Sequence, residues 1–114
     1  MGYNISLKSY EGPMDLLLDL IKKNEVDIYD IPIHLITEQF LEYLNLSKTL
    51  NMDITSDFIL MAATLIEIKS KMLLPKHQDE DESEEETEDP RQELVQKILE
   101  YEKFREVSNI LKTS

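Results

Sequence analysis

One long helical segment constrains this sequence most, because its apolar residues cover more than half of its circumference. Placing residues 53–74 at intervals of about 100° gives two neighbouring apolar stripes and only a narrow polar strip. A helix on the surface of a small domain needs an apolar arc of little more than about 100°. The first stripe consists of Ile54, Phe58, Met61, Leu65, Ile68 and Met72. The second consists of Ile59, Ala62, Ala63, Ile66 and Leu73.

Two shorter amphipathic helices are predicted before this segment. The first begins at Pro13 and runs to about Lys23, with a proline suited to the first helical turn. The second begins near Asp30, which we expect to act as its cap, and Asp53 or Thr55 should cap the third helix. Each short helix has one apolar stripe, so together they can cover one stripe of the third helix. We assign Phe58, Met61 and Leu65 mainly to that covered stripe.

The N-terminal residues follow a different pattern. Apolar and polar residues alternate over residues 3–7, which predicts a short strand, and residues 26–28 are a candidate pairing partner. The expected fold is therefore mainly all-α: a small N-terminal helical bundle with a short N-terminal strand, a long third helix, an acidic flexible linker and a further helix. We expect an N-terminal helical domain at 1–75, a disordered acidic linker at 76–89 and a separate helix within 90–114.

The acidity of the chain is local. Of 24 acidic residues, nine fall in residues 79–89, and the rest of the chain carries 15 acidic and 12 basic residues. Such a run cannot bury enough apolar surface to fold, so we interpret it as a solvated spacer. A sharper hypothesis is that it keeps the domain off DNA or mimics phosphate for a basic partner. Direct nucleic-acid binding is not expected, because the charge would repel phosphate.

Residues suited to catalysis or to a cofactor are scarce. The chain has two glycines and no cysteine, which leaves no phosphate-binding loop and no thiolate metal site. His34 and Glu38 are four residues apart on the second helix, but two ligands do not make a metal site, and a surface pair is the favoured interpretation. We expect no enzyme activity, no cofactor, no membrane contact and a cytoplasmic protein, since no secretory signal or membrane-spanning run is seen.

A helix is also predicted after the acidic run. Asp89 should cap it, Pro90 suits its first position, and it should run to about Leu111. This helix could dock back on the first three helices or remain available to another protein. The residues alone leave both alternatives open.

Three long strings resemble the segregation and condensation protein A family, the bacterial kleisins. They are "YEGPMDLLLDLIKKNEVDIYDIPIHLITEQFLEYL", "DITSDFILMAATLIEIKSKMLLP" and "EDPRQELVQKILEYEKFREV". The resemblance covers nearly the whole chain in the same order. It implies a non-catalytic, nucleoid-associated subunit that bridges the heads of a structural maintenance of chromosomes (SMC) ATPase during chromosome condensation and segregation.

The resemblance also implies partners. The N-terminal domain should bind the coiled-coil neck beside an SMC head, and this would cover the second stripe of the third helix. The expected neck-binding residues are Ile59, Ala62, Ala63, Ile66, Lys69, Ser70 and Leu73.

A dimer of segregation and condensation protein B should hold the region after the linker, and we favour this role for the fourth helix. The expected contact residues are Leu94, Ile98, Leu99, Tyr101 and Phe104. The family's C-terminal winged-helix region is not in this sequence, so we expect an N-terminal piece of such a protein. The alternative function is a generic helical adaptor that binds an unrelated coiled coil.

Overall fold

The computed structural model describes residues 8–74 and 88–113. In those residues the chain forms four α-helices and one 3-10 turn, which confirms the prediction of a mainly helical protein. The helices are α1 (Pro13–Lys23), α2 (Ile33–Thr49), α3 (Ser56–Leu73) and α4 (Gln92–Thr113), and the 3-10 turn (Ile28–Asp30) lies between α1 and α2.

The predicted strand does not appear in the described part of the chain. Residues 3–7, on which it was expected, lie outside the described residues. Its candidate partner at residues 26–28 is not a strand: Val26 and Asp27 lead directly into the 3-10 turn, and the Asp27 carboxylate accepts a hydrogen bond from the Tyr29 amide at 3.0 Å. That pairing prediction was wrong because a short alternation also fits a capped turn.

Two helix starts differ from the predicted caps. Asp30 does not cap α2, because it belongs to the 3-10 turn and α2 begins only at Ile33. Thr55 does precede α3, but its hydroxyl bonds to the side chain of Asp57 and caps no backbone amide. Thr55 thus has the predicted N-cap position without the predicted hydrogen bond, because its hydroxyl donates to Asp57. Asp30 was misplaced, and its carboxylate accepts from Arg91 instead.

The fourth helix also begins later than predicted. Asp89 accepts a hydrogen bond from the Arg91 amide at 2.9 Å, and the Gln92 amide bonds to the Asp89 carbonyl at 3.0 Å. Pro90 therefore lies in a turn, and α4 begins at Gln92 and ends at Thr113.

The helices α1 and α2 end with the same backbone motif. A non-glycine residue adopts a left-handed conformation after each helix, Glu25 with φ 55° and Asn51 with φ 60°. The next amide then bonds to the carbonyl five residues back, at 3.2 Å for Val26 and 2.9 Å for Met52. This pattern satisfies carbonyls that a helix end leaves without partners and turns the chain sharply.

α1 lies at the centre of the molecule. It packs against α2 and α4 and more lightly against α3, while α2 packs against α3 and α4 also contacts the 3-10 turn. Its leucines are therefore buried on several sides, including Leu18. The most deeply buried apolar side chains come from all four helices and include Leu16, Leu17, Ile21, Ile36, Phe40, Leu65 and Ile98.

Most of the first stripe of α3 faces this core, as predicted, although Met72 near its end is exposed. Phe58, Leu65 and Ile68 are buried, and Met61 is half-buried against them. Phe58 also stacks with Tyr43 of α2, with ring centroids 6.4 Å apart. None of the helices within the described ranges is both long and apolar enough to cross a bilayer.

Candidate protein-interaction surfaces

The outer side of α3 carries a row of exposed residues that we call the α3 seam. Its large members remain uncovered: Ile59 is 56 % exposed, Ile66 46 % and Leu73 72 %. Between them lie small exposed residues. The seam consists of Ser56, Ile59, Ala63, Ile66, Ser70 and Leu73. Over this length of helix the seam runs for about 26 Å.

The α3 seam has the spacing of a coiled-coil helix. Its members alternate at three and four residues, which is the heptad spacing of the two contact positions in a coiled coil. The aliphatic residues Ile59, Ile66 and Leu73 share one heptad position, and Ser56, Ala63 and Ser70 share the other. Small side chains allow a partner backbone to come close, and large ones can insert between the side chains of a facing helix.

The structure separates the residues that were predicted to bind the neck. Five of them lie on the α3 seam: Ile59, Ala63, Ile66, Ser70 and Leu73. Lys69 is half-buried at its edge. Ala62 is 7 % exposed and packs in the core, so its side chain is not available on this surface. Ala62 was misplaced because it lies where the two stripes meet, and its small side chain fits either.

A groove between α2 and the start of α3 adjoins the seam. It encloses about 980 Å³ and includes Ile59, the first aliphatic residue of the seam. Its apolar lining comes from Leu41, Leu44, Met52 and Ile54, while Glu38, Glu42 and Lys48 are its charged members. Sequence reasoning missed this groove, although Leu35 and Leu41 lie outside the buried stripe of α2 and were a signal for it.

The fourth helix is docked on the first three. Leu94 and Ile98 are 3 % and 0 % exposed and belong to the core. Leu99 and Tyr101 are half-buried, whereas Phe104 is 64 % exposed. The prediction favoured a helix available to segregation and condensation protein B, and for its first turns the structure shows intramolecular docking instead. The physical reason is that α1 is apolar on more sides than α2 can cover.

Arg91 holds the beginning of α4 in place. Its guanidinium donates to the Ile31 carbonyl at 2.6 Å, to Asp30 at 2.9 Å and to Asp89 at 2.7 Å. We call this group the Arg91 clamp. Hydrogen bonds from Arg91 lower the pKa of the Asp89 carboxyl to about 2, and the same bonds raise the pKa of Arg91.

Further along α4, two ion pairs join it to α1. Arg105 donates to Asp15 at 2.7 Å, and Lys22 lies 3.9 Å from Glu102. Tyr101 directly precedes Glu102, and burial raises the pKa of its hydroxyl. The docked half of α4 is therefore held by apolar contacts in the middle and by charged contacts along its edges.

Two observations concern possible metal ligands in the described residues. His34 and Glu38 lie 3.4 Å apart on the outside of α2, both well exposed, as the surface-pair interpretation expected. In residues 8–74 and 88–113, no group of three or more histidine, aspartate and glutamate side chains is arranged to hold a metal ion.

Fold and surface together define a mainly helical domain with an uncovered heptad row, the arrangement of a protein-interaction domain. The family described as segregation and condensation protein ScpA matches residues 20–114. The chain is 50 % identical over 109 residues to segregation and condensation protein A of Caldanaerobacter subterraneus subsp. tengcongensis, covering 96 % of this chain and 44 % of that protein.

A second relative gives the same result. The protein of the same name from Bacillus cereus (strain AH187) is 49 % identical over 114 residues, covering 98 % of this chain and 46 % of the relative. This chain belongs to the segregation and condensation protein A family. It spans a little under half the length of these curated relatives.

Proposed function

We propose that this chain acts in chromosome condensation and segregation as a non-catalytic kleisin subunit of an SMC complex. Membership of the segregation and condensation protein A family supports this role, because the relatives carry that function in their name. In this proposal the chain supplies the part of the subunit that binds the neck of an SMC head. Bridging to a second head would use parts of the relatives that this chain does not span.

The observation that carries the proposal is the α3 seam. A heptad row of aliphatic and small residues on an exposed helix is suited to pack against another helix, and a coiled-coil neck offers two of them. Packing there would cover Ile59, Ile66 and Leu73, which the described residues leave exposed. The proposed complex is thus a mixed bundle in which α3 joins the strands of the neck.

The seam alone cannot give a tight complex. Covering the exposed parts of its three aliphatic side chains would contribute about 1–2 kcal/mol each. That gain is comparable to the lower estimates for the cost of association, which are about 4 kcal/mol. We therefore propose that the neck also enters the adjoining groove of α2, where Leu41 and Ile54 add apolar contact area.

An Ile66→Glu substitution tests this contact. It places a charge in the middle of the α3 seam, and we expect binding to an SMC head-and-neck fragment to weaken at least about 100-fold, as truncating or charging a central interface residue does. Isothermal titration calorimetry measures the affinity. Helicity should be unchanged in circular dichroism, because Ile66 does not belong to the core.

Leu60→Glu is the matched control. Leu60 is an exposed aliphatic residue of the same helix, and it lies about 100° around the helix from Ile59. This variant should bind the neck almost normally. Equal loss of affinity in both variants would show that the seam is not the contact. If the unsubstituted chain bound an unrelated two-stranded coiled coil as tightly as the SMC neck, a generic adaptor would be favoured.

We further propose that α4 contributes to binding a dimer of segregation and condensation protein B. The family match extends through the whole of α4, which supports the assignment. The candidate contacts remain Leu94, Ile98, Leu99, Tyr101 and Phe104, of which Phe104 is exposed in the docked helix.

A further inference from the structure

The side chains assigned to segregation and condensation protein B are largely occupied within this chain. Leu94 and Ile98 pack in the core, and Tyr101 is half-buried beside α1. A partner cannot contact Leu94 or Ile98 while α4 stays docked. We infer that docked α4 is a closed state that competes with this partner, so that binding requires α4 to leave α1. This inference rests on the proposed assignment of the partner.

The contacts that hold α4 are suited to reversible docking. The Arg91 clamp joins α4 to the turn before α2, and the Arg105–Asp15 pair joins it to α1. In each pair one partner is largely buried and the other is more exposed: Arg91 meets exposed Asp30, and Asp15 meets half-exposed Arg105. Solvent therefore screens each pair in part. The closed state also buries Leu94 and Ile98, which are among the side chains assigned to the partner.

Release of α4 leaves the α3 seam unchanged. The residues of α3 that face α4 across a shallow groove include Met61, Thr64 and Ile68. On a helical projection these three lie roughly 130–190° around α3 from the centre of the seam, and Leu60 and Glu67, which line the edge of the same groove, lie roughly 70–90° from it. The neck and docked α4 can thus occupy α3 at the same time. Competition is expected with segregation and condensation protein B and not with the neck.

A crosslink between α1 and α4 tests the inference. Lys22 and Glu102 lie close enough for a short bis-maleimide to join cysteines placed at the two positions. The chain has no cysteine of its own, so the reaction is confined to this pair. Neither position belongs to the assigned contact set. The matched control is the same Lys22→Cys, Glu102→Cys chain with each thiol capped by N-ethylmaleimide.

The readout is the affinity for purified segregation and condensation protein B dimer. We expect the crosslinked chain to bind at least about 10-fold more weakly than the capped chain, because the open fraction sets the apparent affinity. Equal affinity of the two forms would show that docked α4 does not compete with this partner, while the assignment of the partner itself would stand. No binding by the capped chain would overturn the partner assignment, and the inference with it.

Discussion

Two residues in the same backbone position show how one side chain affects stability. Glu25 and Asn51 both adopt left-handed conformations at the end of a helix. Asparagine tolerates this region, whereas glutamate has a Cβ and no short polar group that compensates for the strain. Glu25 is thus the less favourable residue of the pair, and a glycine would relieve it.

We expect Glu25→Gly to stabilise the protein by about 0.5–1 kcal/mol, since glycine adopts positive φ without the steric penalty. The control Asn51→Gly should change stability by only a few tenths of a kcal/mol. Urea unfolding followed by circular dichroism measures both. A loss of stability in Glu25→Gly would show that its side chain makes a contact that outweighs the strain.

At the scale of an element, α3 contributes one face to the core and another to the exposed seam. Phe58 and Leu65 face the core, while Ile59 and Ile66 face outward on the seam. The wide apolar arc predicted both roles, and the core side was assigned correctly. Ala62 was assigned to the outer face but is buried. For a residue between two stripes, the positions of the neighbouring helices decide whether its side chain is buried, and helical spacing alone does not.

The docking of α4 should depend on the charge of Asp89. The pKa of this carboxyl falls from its ordinary 3.8 to about 2 in the folded protein. A lowered pKa means that its contribution is complete above about pH 4 and is lost as the pH falls through about 2. Methyl chemical shifts of Ile98 should report weaker docking over that window.

Asp89→Asn is the control for this pH dependence. Docking in the variant should already be weaker at neutral pH, and the change below pH 4 should be smaller. Identical titrations in the two proteins would exclude Asp89 as the cause.

For the whole molecule, α4 is part of the core even though the acidic residues separate it in sequence from the other helices. Ile98 is fully buried, and α1 would lose its cover on one side without α4. The linker predicted at 76–89 lies mostly outside the described residues, and the helices on either side of it share one core.

Cutting the chain between α3 and α4 should leave the two pieces together. With a specific protease site inserted after Ser83, the pieces should co-elute in size-exclusion chromatography, because Leu94 and Ile98 remain buried. Leu94→Asp puts a charge in that interface and should separate them after cleavage. Separation of the unsubstituted pieces would show that docking is too weak to survive dilution.

The sequence by itself determined the helices, the core side of α3 and the family. Helix periodicity and start signals are local, so they can be read from neighbouring residues. Ile59, Ala63 and Ile66 were placed on an outer face for the same reason. Their heptad register with Ser56 was also present in the sequence.

Only the tertiary structure decided which surfaces are covered. The burial of Leu94 and Ile98, the Arg91 clamp across about 60 residues of sequence, and the groove beside Leu41 depend on how helices meet in space. An apolar stripe can pack against its own chain or against a partner with similar free energy, because hydrophobic burial is not directional. Periodicity shows that a helix has an apolar face to bury. The packing of the other helices determines which of these faces are buried within the chain.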